Sequence, residues 1–229
     1  MHKMGCALCG SEIIYLEKEQ LLECVVCKKT VLANAKCENN HFVCDSCHEM
    51  DAVEYIEHTC LNTQAKTLVE LTVELMRNPK VLMHGPEHHF LVPAVLYTLY
   101  ANTYEKKSEL AEKLEIIKER AKMVPGGFCG QFGCCGAGVG TGIFMSVLLS
   151  TSPLSENSWG DAQLMTARTL EALGKLGGPR CCKRSTFQAL VSANEFLKEK
   201  FNIVLECGDM KCEFSELNST CSSTRCPFI

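Results

Sequence analysis

The sequence predicts a mainly α protein, with a helical cysteine-rich domain over 63–229 preceded by a small zinc-ribbon-like metal-binding domain over 1–62. Three observations carry this expectation. The cysteines of the first sixty residues come as C-x2-C knuckles, whereas those further on sit among glycines at looser spacings. From about residue 64, apolar residues recur at helical intervals. The chain also holds 17 cysteines, an odd number, which fits metal binding in a reducing compartment better than a disulfide scaffold.

Composition narrows the classes. A chain of 229 residues can bury one good-sized core plus a small satellite. The formal net charge of -4 gives no electrostatic ground for DNA as the main partner and argues mildly against RNA, so nucleic acid is not the expected partner. The opening MHKMGCALCG lacks an apolar leader core, and the longest apolar run, GIFMSVLLS, is far below the roughly 20 residues a bilayer requires. A soluble, cytoplasmic protein without membrane attachment is expected.

In the first region Cys6-x2-Cys9 and Cys24-x2-Cys27 are separated by 14 residues, the two-knuckle layout of a zinc ribbon. EIIYLEKEQLLEC between them suits a short hairpin. CENNHFVCDSCH then supplies Cys37, His41, Cys44, Cys47 and His48, with His58 and Cys60 shortly after. The preferred assignment is sequential: one closed site from Cys6, Cys9, Cys24 and Cys27, and a second from Cys37, Cys44, Cys47 and Cys60, with His41 as the first substitute. A cross-braced arrangement like that of a RING domain remains open, because C-x2-C, C-x2-C, C-x3-H, C-x2-C can interleave. Zinc is the expected metal, and in so small a domain it supplies much of the folding energy.

The second region reads as helices. TLVELTVELM (67–76) is amphipathic, and FLVPAVLYTLY (90–100) is apolar on nearly every face and should be buried. Pro93 should kink that helix or fall in its first turn. The 106–124 segment places Leu110, Leu114 and Ile117 on one face, as a surface helix does. Further helices are expected over 160–175 and 185–200, another beginning near Gly136, and a short strand at NIVLEC, 202–207.

Nine cysteines of this region are candidate cofactor ligands: Cys129, Cys134, Cys135, Cys181, Cys182, Cys207, Cys212, Cys221 and Cys226. Adjacent glycines let backbone approach a bulky group and offer N–H donors to its sulfides, which points to an iron–sulfur cluster, 4Fe-4S in type. A further zinc site in the tail and plainly packed thiols are the competing accounts. Side chains of vicinal cysteines diverge, so both members of Cys134–Cys135 or of Cys181–Cys182 should seldom bind one ion; one of each pair is a candidate ligand, and the other is a reactive thiol or a packed core residue. Arg180, Lys183 and Arg184 flank the second pair and can favour thiolate, hold a small anionic or sulfur-containing substrate, or neutralise the cluster. GAGVGTG (136–142) has Thr141 where a dinucleotide fingerprint needs glycine, so close helix packing or approach to a cluster explains it better.

HGPEHH (84–89) satisfies the pattern H-x-x-E-H of a zinc hydrolase. Pro86 argues against that chemistry. It favours a first helical turn, which puts His84 at or before the cap and not one turn from His88 on a shared face. The string is expected to start the buried helix, with Glu87 near its positive end. If the protein is catalytic, His88 or Glu87 would move a proton and Arg180 would hold an anion.

The strings HGPEHHFLVPAVL, GFCGQFGCCGAGVGTGIF, GGPRCCKR and the closing RCPF together resemble an uncharacterised cysteine-rich domain family of anaerobic bacteria and archaea. Some of its members are fused to radical-SAM or methyltransferase modules. The resemblance implies an anaerobic setting and a separate radical-SAM or methyltransferase partner, since this chain carries neither module. It brings no established activity. The expected function is therefore a metalloprotein with structural zinc and an iron–sulfur cluster in redox, sulfur-transfer or radical/methyl-transfer metabolism. The alternative is a zinc-ribbon scaffold that binds a protein or RNA.

Overall fold

In a computed structural model that describes residues 6, 9, 11–44, 47 and 50–229, two strands are followed by eight α-helices. The strands β1 (Ile13–Glu23) and β2 (Thr30–Cys37) form one antiparallel hairpin. Its ladder is interrupted by a bulge between Tyr15 and Gln20. The expected hairpin between Cys9 and Cys24 is thus a single strand, and its partner lies beyond the second knuckle. Cys24-x2-Cys27 occupies the turn, where Lys28 adopts positive φ and its N–H bonds the Cys24 carbonyl at 2.8 Å.

Helix α1 (Ala52–Asn62) opens with a capping box in which Asp51 accepts from the Glu54 N–H and Glu54 accepts from the Asp51 N–H. Its buried face, Tyr55, Ile56 and Cys60, joins the helical core. By packing, therefore, α1 belongs with the helical part, although its residues fall within the 1–62 expected for the metal-binding domain. Helix α2 (Leu68–Arg77) is capped by the Thr67 side chain. The N–H groups of Leu68 and Val69, orphaned in its first turn, bond the carbonyls of Glu206 and Cys207. NIVLEC is consequently extended without being a strand: it pairs with a helix end, and Asn194 bonds Leu205 through both its side-chain oxygen and nitrogen.

Helix α3 (Glu87–Thr103) runs through the centre, with Phe90, Leu91, Leu96, Tyr97 and Leu99 buried. It packs against α1, α2, α4 (Lys107–Lys122), α6 (Gly136–Leu148) and α8 (Cys182–Phe201). That environment on every side is why its sequence shows no polar face. Pro93 stands in the helix interior and cannot bond the His89 carbonyl. A Cβ on Gly140 of α6 would meet Pro93 Cδ at 2.9 Å and that carbonyl at 3.1 Å, so glycine lets α6 close on this notch. Gly138 and Gly142 likewise admit Leu170 and Thr166 of α7 (Asn157–Leu176). The glycine run is a close-packing seam with both neighbours, not a nucleotide loop.

Beyond α8 the tail has only two 3-10 turns, Ser215–Leu217 and Ser223–Arg225. It is held by side chains and by backbone hydrogen bonds. Phe228 stacks on Phe187 at 5.5 Å, and the Phe228 carbonyl accepts from the Cys212 N–H at 2.6 Å. Among the described residues, no helix is long and apolar enough to cross a membrane.

Candidate metal centres

The hairpin folds the knuckles into alternate pairs. Cys6, Cys9, Cys37 and His41 converge in one group, and Cys24, Cys27, Cys44 and Cys47 in another. Within each, all ligand atoms lie within 4.8 Å of one another. The antiparallel register places Cys37 opposite Ile13, just after the first knuckle, while the turn carries the second knuckle toward Cys44 and Cys47. The sequential assignment is therefore corrected to the interleaved one. His41 is a full member of its group, with Nδ1 3.8 Å from Cys6 Sγ. Cys60 belongs to neither: it is 1 % exposed in the helical core beside Thr98, and burial pushes its thiol up to about 12. His48 lies outside the described residues.

Distances test whether a single ion fits. Four thiolates about 2.3 Å from a tetrahedral zinc stand about 3.8 Å apart. Cys9–Cys37 measures 3.8 Å and Cys27–Cys44 measures 3.7 Å. Backbone N–H groups support both sets, from Cys44 to Cys24 Sγ at 3.4 Å and from His41 to Cys37 Sγ at 3.3 Å. The donors fit a closed four-coordinate ion. The second group also forms its own small cluster of buried residues, Cys24, Cys44 and Cys47, lined by Val26, Val31 and Phe42.

The helical part divides its cysteines differently. Cys181, Cys212, Cys221 and Cys226 line one pocket, closed over by Met83, Phe214 and Ile229. Cys181 is the N-cap of α8, and its sulfur accepts from the Arg184 N–H at 3.4 Å and from Asn218 Nδ2 at 3.6 Å. The Phe214 N–H donates to Cys212 Sγ at 3.4 Å and the Ser223 N–H to Cys221 Sγ at 3.3 Å. Burial pushes the Cys212 thiol up. Among the described residues, only the two N-terminal groups bring three or more ligand atoms within 4.8 Å of one another, so these four sulfurs stand wider than one ion draws its ligands.

Two buried cations border the same pocket. Lys183, 3 % exposed, donates to the Met76 carbonyl at 2.8 Å and the Val81 carbonyl at 3.2 Å, and lies over the Phe214 ring. Burial pushes its amine down to about 8, against the pull of Glu87 and neighbouring thiols. Arg184, 6 % exposed, bonds Ser222 Oγ at 2.7 Å and the Gly177 and Pro179 carbonyls at 2.6 and 3.0 Å. Among the described residues, neither has a hydrogen-bonded carboxylate.

Cys129, Cys135 and Cys182 line a different cavity, together with His84, His88, His89 and Arg180. The vicinal pair at 181–182 is thus split between two pockets. Cys134 lines neither, and Cys207 packs on the helical core, where burial raises its thiol.

The three residues considered for catalysis sit as follows. Only Arg180 is exposed, at the cavity. Glu87 is buried and accepts from the Leu82 N–H at 2.7 Å, folded across Gly85, so it closes the turn. His88 is 1 % exposed with both ring nitrogens engaged, Nε2 to the Leu82 carbonyl and Nδ1 to Thr186 Oγ1, each at 3.0 Å. Nε2 therefore carries the proton and Nδ1 accepts. With His88 so held, the H-x-x-E-H hydrolase arrangement does not form.

His88 yields a stability prediction. Burial pushes its pKa from 6.5 down to about 3, so the unfolded chain binds the proton first. The stabilisation is fully present above about pH 6.5 and is lost as pH falls toward 3, reaching about 3 kcal/mol by pH 4.5. Urea unfolding of wild type should therefore lose about that much more between these pH values than His88→Gln does. Equal slopes would show that the imidazole titrates normally.

No curated protein and no solved structure matches the chain. The model of a family of unknown function, DUF5714, matches residues 56–229, which takes in α1 from Ile56 and both helical cysteine pockets but neither N-terminal group. The chain belongs to that family.

Proposed function

We propose that the protein is a two-part metalloprotein, in which zinc builds the N-terminal unit and an iron–sulfur cluster occupies the Cys181, Cys212, Cys221 and Cys226 pocket. The observation that carries the cluster is the pocket's charge. Four thiols from three chain segments face two buried cations that have no hydrogen-bonded carboxylate among the described residues. Buried charge without a close ion pair is costly; Glu87 offsets part of the Lys183 charge without a hydrogen bond to it, and an anionic cluster would supply further countercharge. The wide sulfur spacing suits thiolates bound to different irons. N–H groups on the sulfurs and an apolar cover are the features that tune a cluster's potential.

A bound cluster would supply one-electron redox chemistry. The chain's own residues hold it, shield it with Met83, Phe214 and Ile229, and fix its charge with Lys183 and Arg184. The reading is an accessory redox role, delivering electrons to or within a separate radical-SAM or methyltransferase partner. Anaerobic purification with iron and acid-labile sulfide counts tests it, since a pocket holding only zinc, or nothing after reconstitution, would sink the cluster.

A second reading concerns the N-terminal unit as a docking module. Tyr15, Leu21 and Leu32 on the hairpin are 77, 71 and 59 % exposed, and Leu21 pairs with Leu32 across the strands, so the hairpin carries a local apolar patch. A Leu21→Glu, Leu32→Glu variant that keeps its zinc yet loses association with the redox partner would support it. Unchanged association would remove it.

A further inference from the structure

Resting on the cluster reading above, we infer that the cavity beside HGPEHH is a second metal centre, an iron–sulfur cluster held by Cys129, Cys135 and Cys182 with a histidine as its remaining ligand. The cavity, about 120 Å³, is lined by three thiols and by no carboxylate. Sulfur and imidazole donors select soft or borderline metals and exclude the magnesium or calcium that oxygen ligands would hold. Cys129 comes from the short helix α5 (Phe128–Gln131), Cys135 is the N-cap of α6, and Cys182 is the first residue of α8. Two helix starts therefore meet at the cavity, and their positive ends favour an anionic group.

The imidazoles are prepared for ligation. His89 Nδ1 donates to the Val124 carbonyl at 3.0 Å, which fixes the tautomer and leaves the Nε2 lone pair free. A carbonyl behind the distal nitrogen is the usual support of a metal-bound histidine. A Cβ on Gly136 would overlap the His89 ring, so glycine at the start of α6 lets that ring lie against the helix. His84 adds a second candidate, since its Nδ1 is buried and has no hydrogen-bond partner. The three thiols do not gather as a single-ion set, unlike the N-terminal groups, so a cluster fits better than a lone zinc. Arg180 is exposed at the cavity and enters no ion pair or hydrogen bond among the described residues, so it is free to hold a small anion there.

The vicinal pair gives this arrangement its meaning. Cys181 serves one pocket and Cys182 the other, and adjacent Cα atoms are about 3.8 Å apart. The two centres would be neighbours, electronically coupled through one peptide unit.

The test uses the full chain, reconstituted anaerobically with iron and sulfide. Wild type is expected to hold about eight irons, two clusters' worth, and each of Cys181→Ser and Cys182→Ser about half of that. Cys129→Ser, at a half-exposed turn outside the core, should match Cys182→Ser and so separate ligation from folding. The EPR spectrum of the fully reduced wild type should show spin–spin broadening that disappears in each single variant. His89→Gln should alter only the signal that Cys182→Ser removes. If Cys182→Ser and Cys129→Ser keep the wild-type iron while Cys181→Ser abolishes it, the cavity centre is overturned and the four-cysteine centre stands. Iron lost through Cys182 and Cys129 but unaffected by Cys181→Ser would overturn the four-cysteine reading and leave the cavity centre alone. No iron in wild type overturns both.

Discussion

A Cys9→Ser, Cys37→Ser double variant is expected to bind one zinc per chain, as each single variant does, whereas Cys9→Ser combined with Cys24→Ser should bind none. The first pair removes ligands from one group and the second pair damages both. A sequential ribbon predicts the reverse, because Cys9 and Cys24 would then share an ion. The effect on folding should be large. Apart from its cysteines, the N-terminal unit packs, among the described residues, only partly buried side chains such as Val26, Val31 and Phe42. Structural zinc in units of this size is worth about 10–16 kcal/mol near neutral pH. Loss of both ions should therefore unfold the hairpin, read as loss of its amide protection, while Cys60→Ala should keep both ions. Cys60→Ala should instead cost about 1–2 kcal/mol through a small core cavity, readable by urea unfolding.

The second large effect is expected at the tail. Cys226→Ser should remove the four-cysteine cluster and expose 208–229 to proteolysis. That segment has no strand and no α-helix of its own, and its docking rests on Phe228, on the Arg77–Glu213 ion pair, on the Arg184–Ser222 bond and on the cysteines themselves. Without the cluster, Lys183 and Arg184 are left as buried cations facing neutral thiols. Lys183→Met should then be less damaging without the cluster than with it, because a buried charge without a partner is worse than none. Iron content and limited proteolysis of the two variants and their combination read this coupling. Equal cost in both backgrounds would mean that the cation does not serve the cluster.

Much of the helical architecture was legible because burial there follows period. Leu110, Leu114 and Ile117 mark the core face of α4, and the uniformly apolar α3 could only be central. Pro86 and Glu87 correctly marked its start. Cys60 carried a readable signal too: it falls four residues after Ile56, on the same buried helical face, and periodicity weighed against knuckle spacing would have removed it from the ligands. The interleaving of the N-terminal groups was not legible, since both arrangements use the same spacings. What decides it is the long-range register that sets Ile13 against Cys37. NIVLEC has strand composition, yet its partner is the orphaned first turn of a helix, which local propensity does not encode. The divergence of vicinal cysteines was expected from sequence. That Cys181 and Cys182 would each meet a different set depends on how the tail folds back over α8.

His88 shows the limit of reading chemistry from a motif. A histidine and a glutamate at a helix start invite an acid–base role, but here Leu82 and Thr186 take both nitrogens and Leu82 takes the carboxylate. Their neighbours differ: His84 keeps its Nδ1 without a partner, and His89 bonds only through Nδ1 among the described residues.

The most direct measurement is zinc, iron and acid-labile sulfide per chain, counted together on the full-length protein kept strictly anaerobic. Two zinc ions are expected, one for each interleaved group. Iron and sulfide should be present in equal amounts, about four of each for every cluster held by the helical cysteines. Zinc alone, with no iron or sulfide retained after reconstitution, would contradict the division of this protein into a zinc-built unit and an iron–sulfur unit.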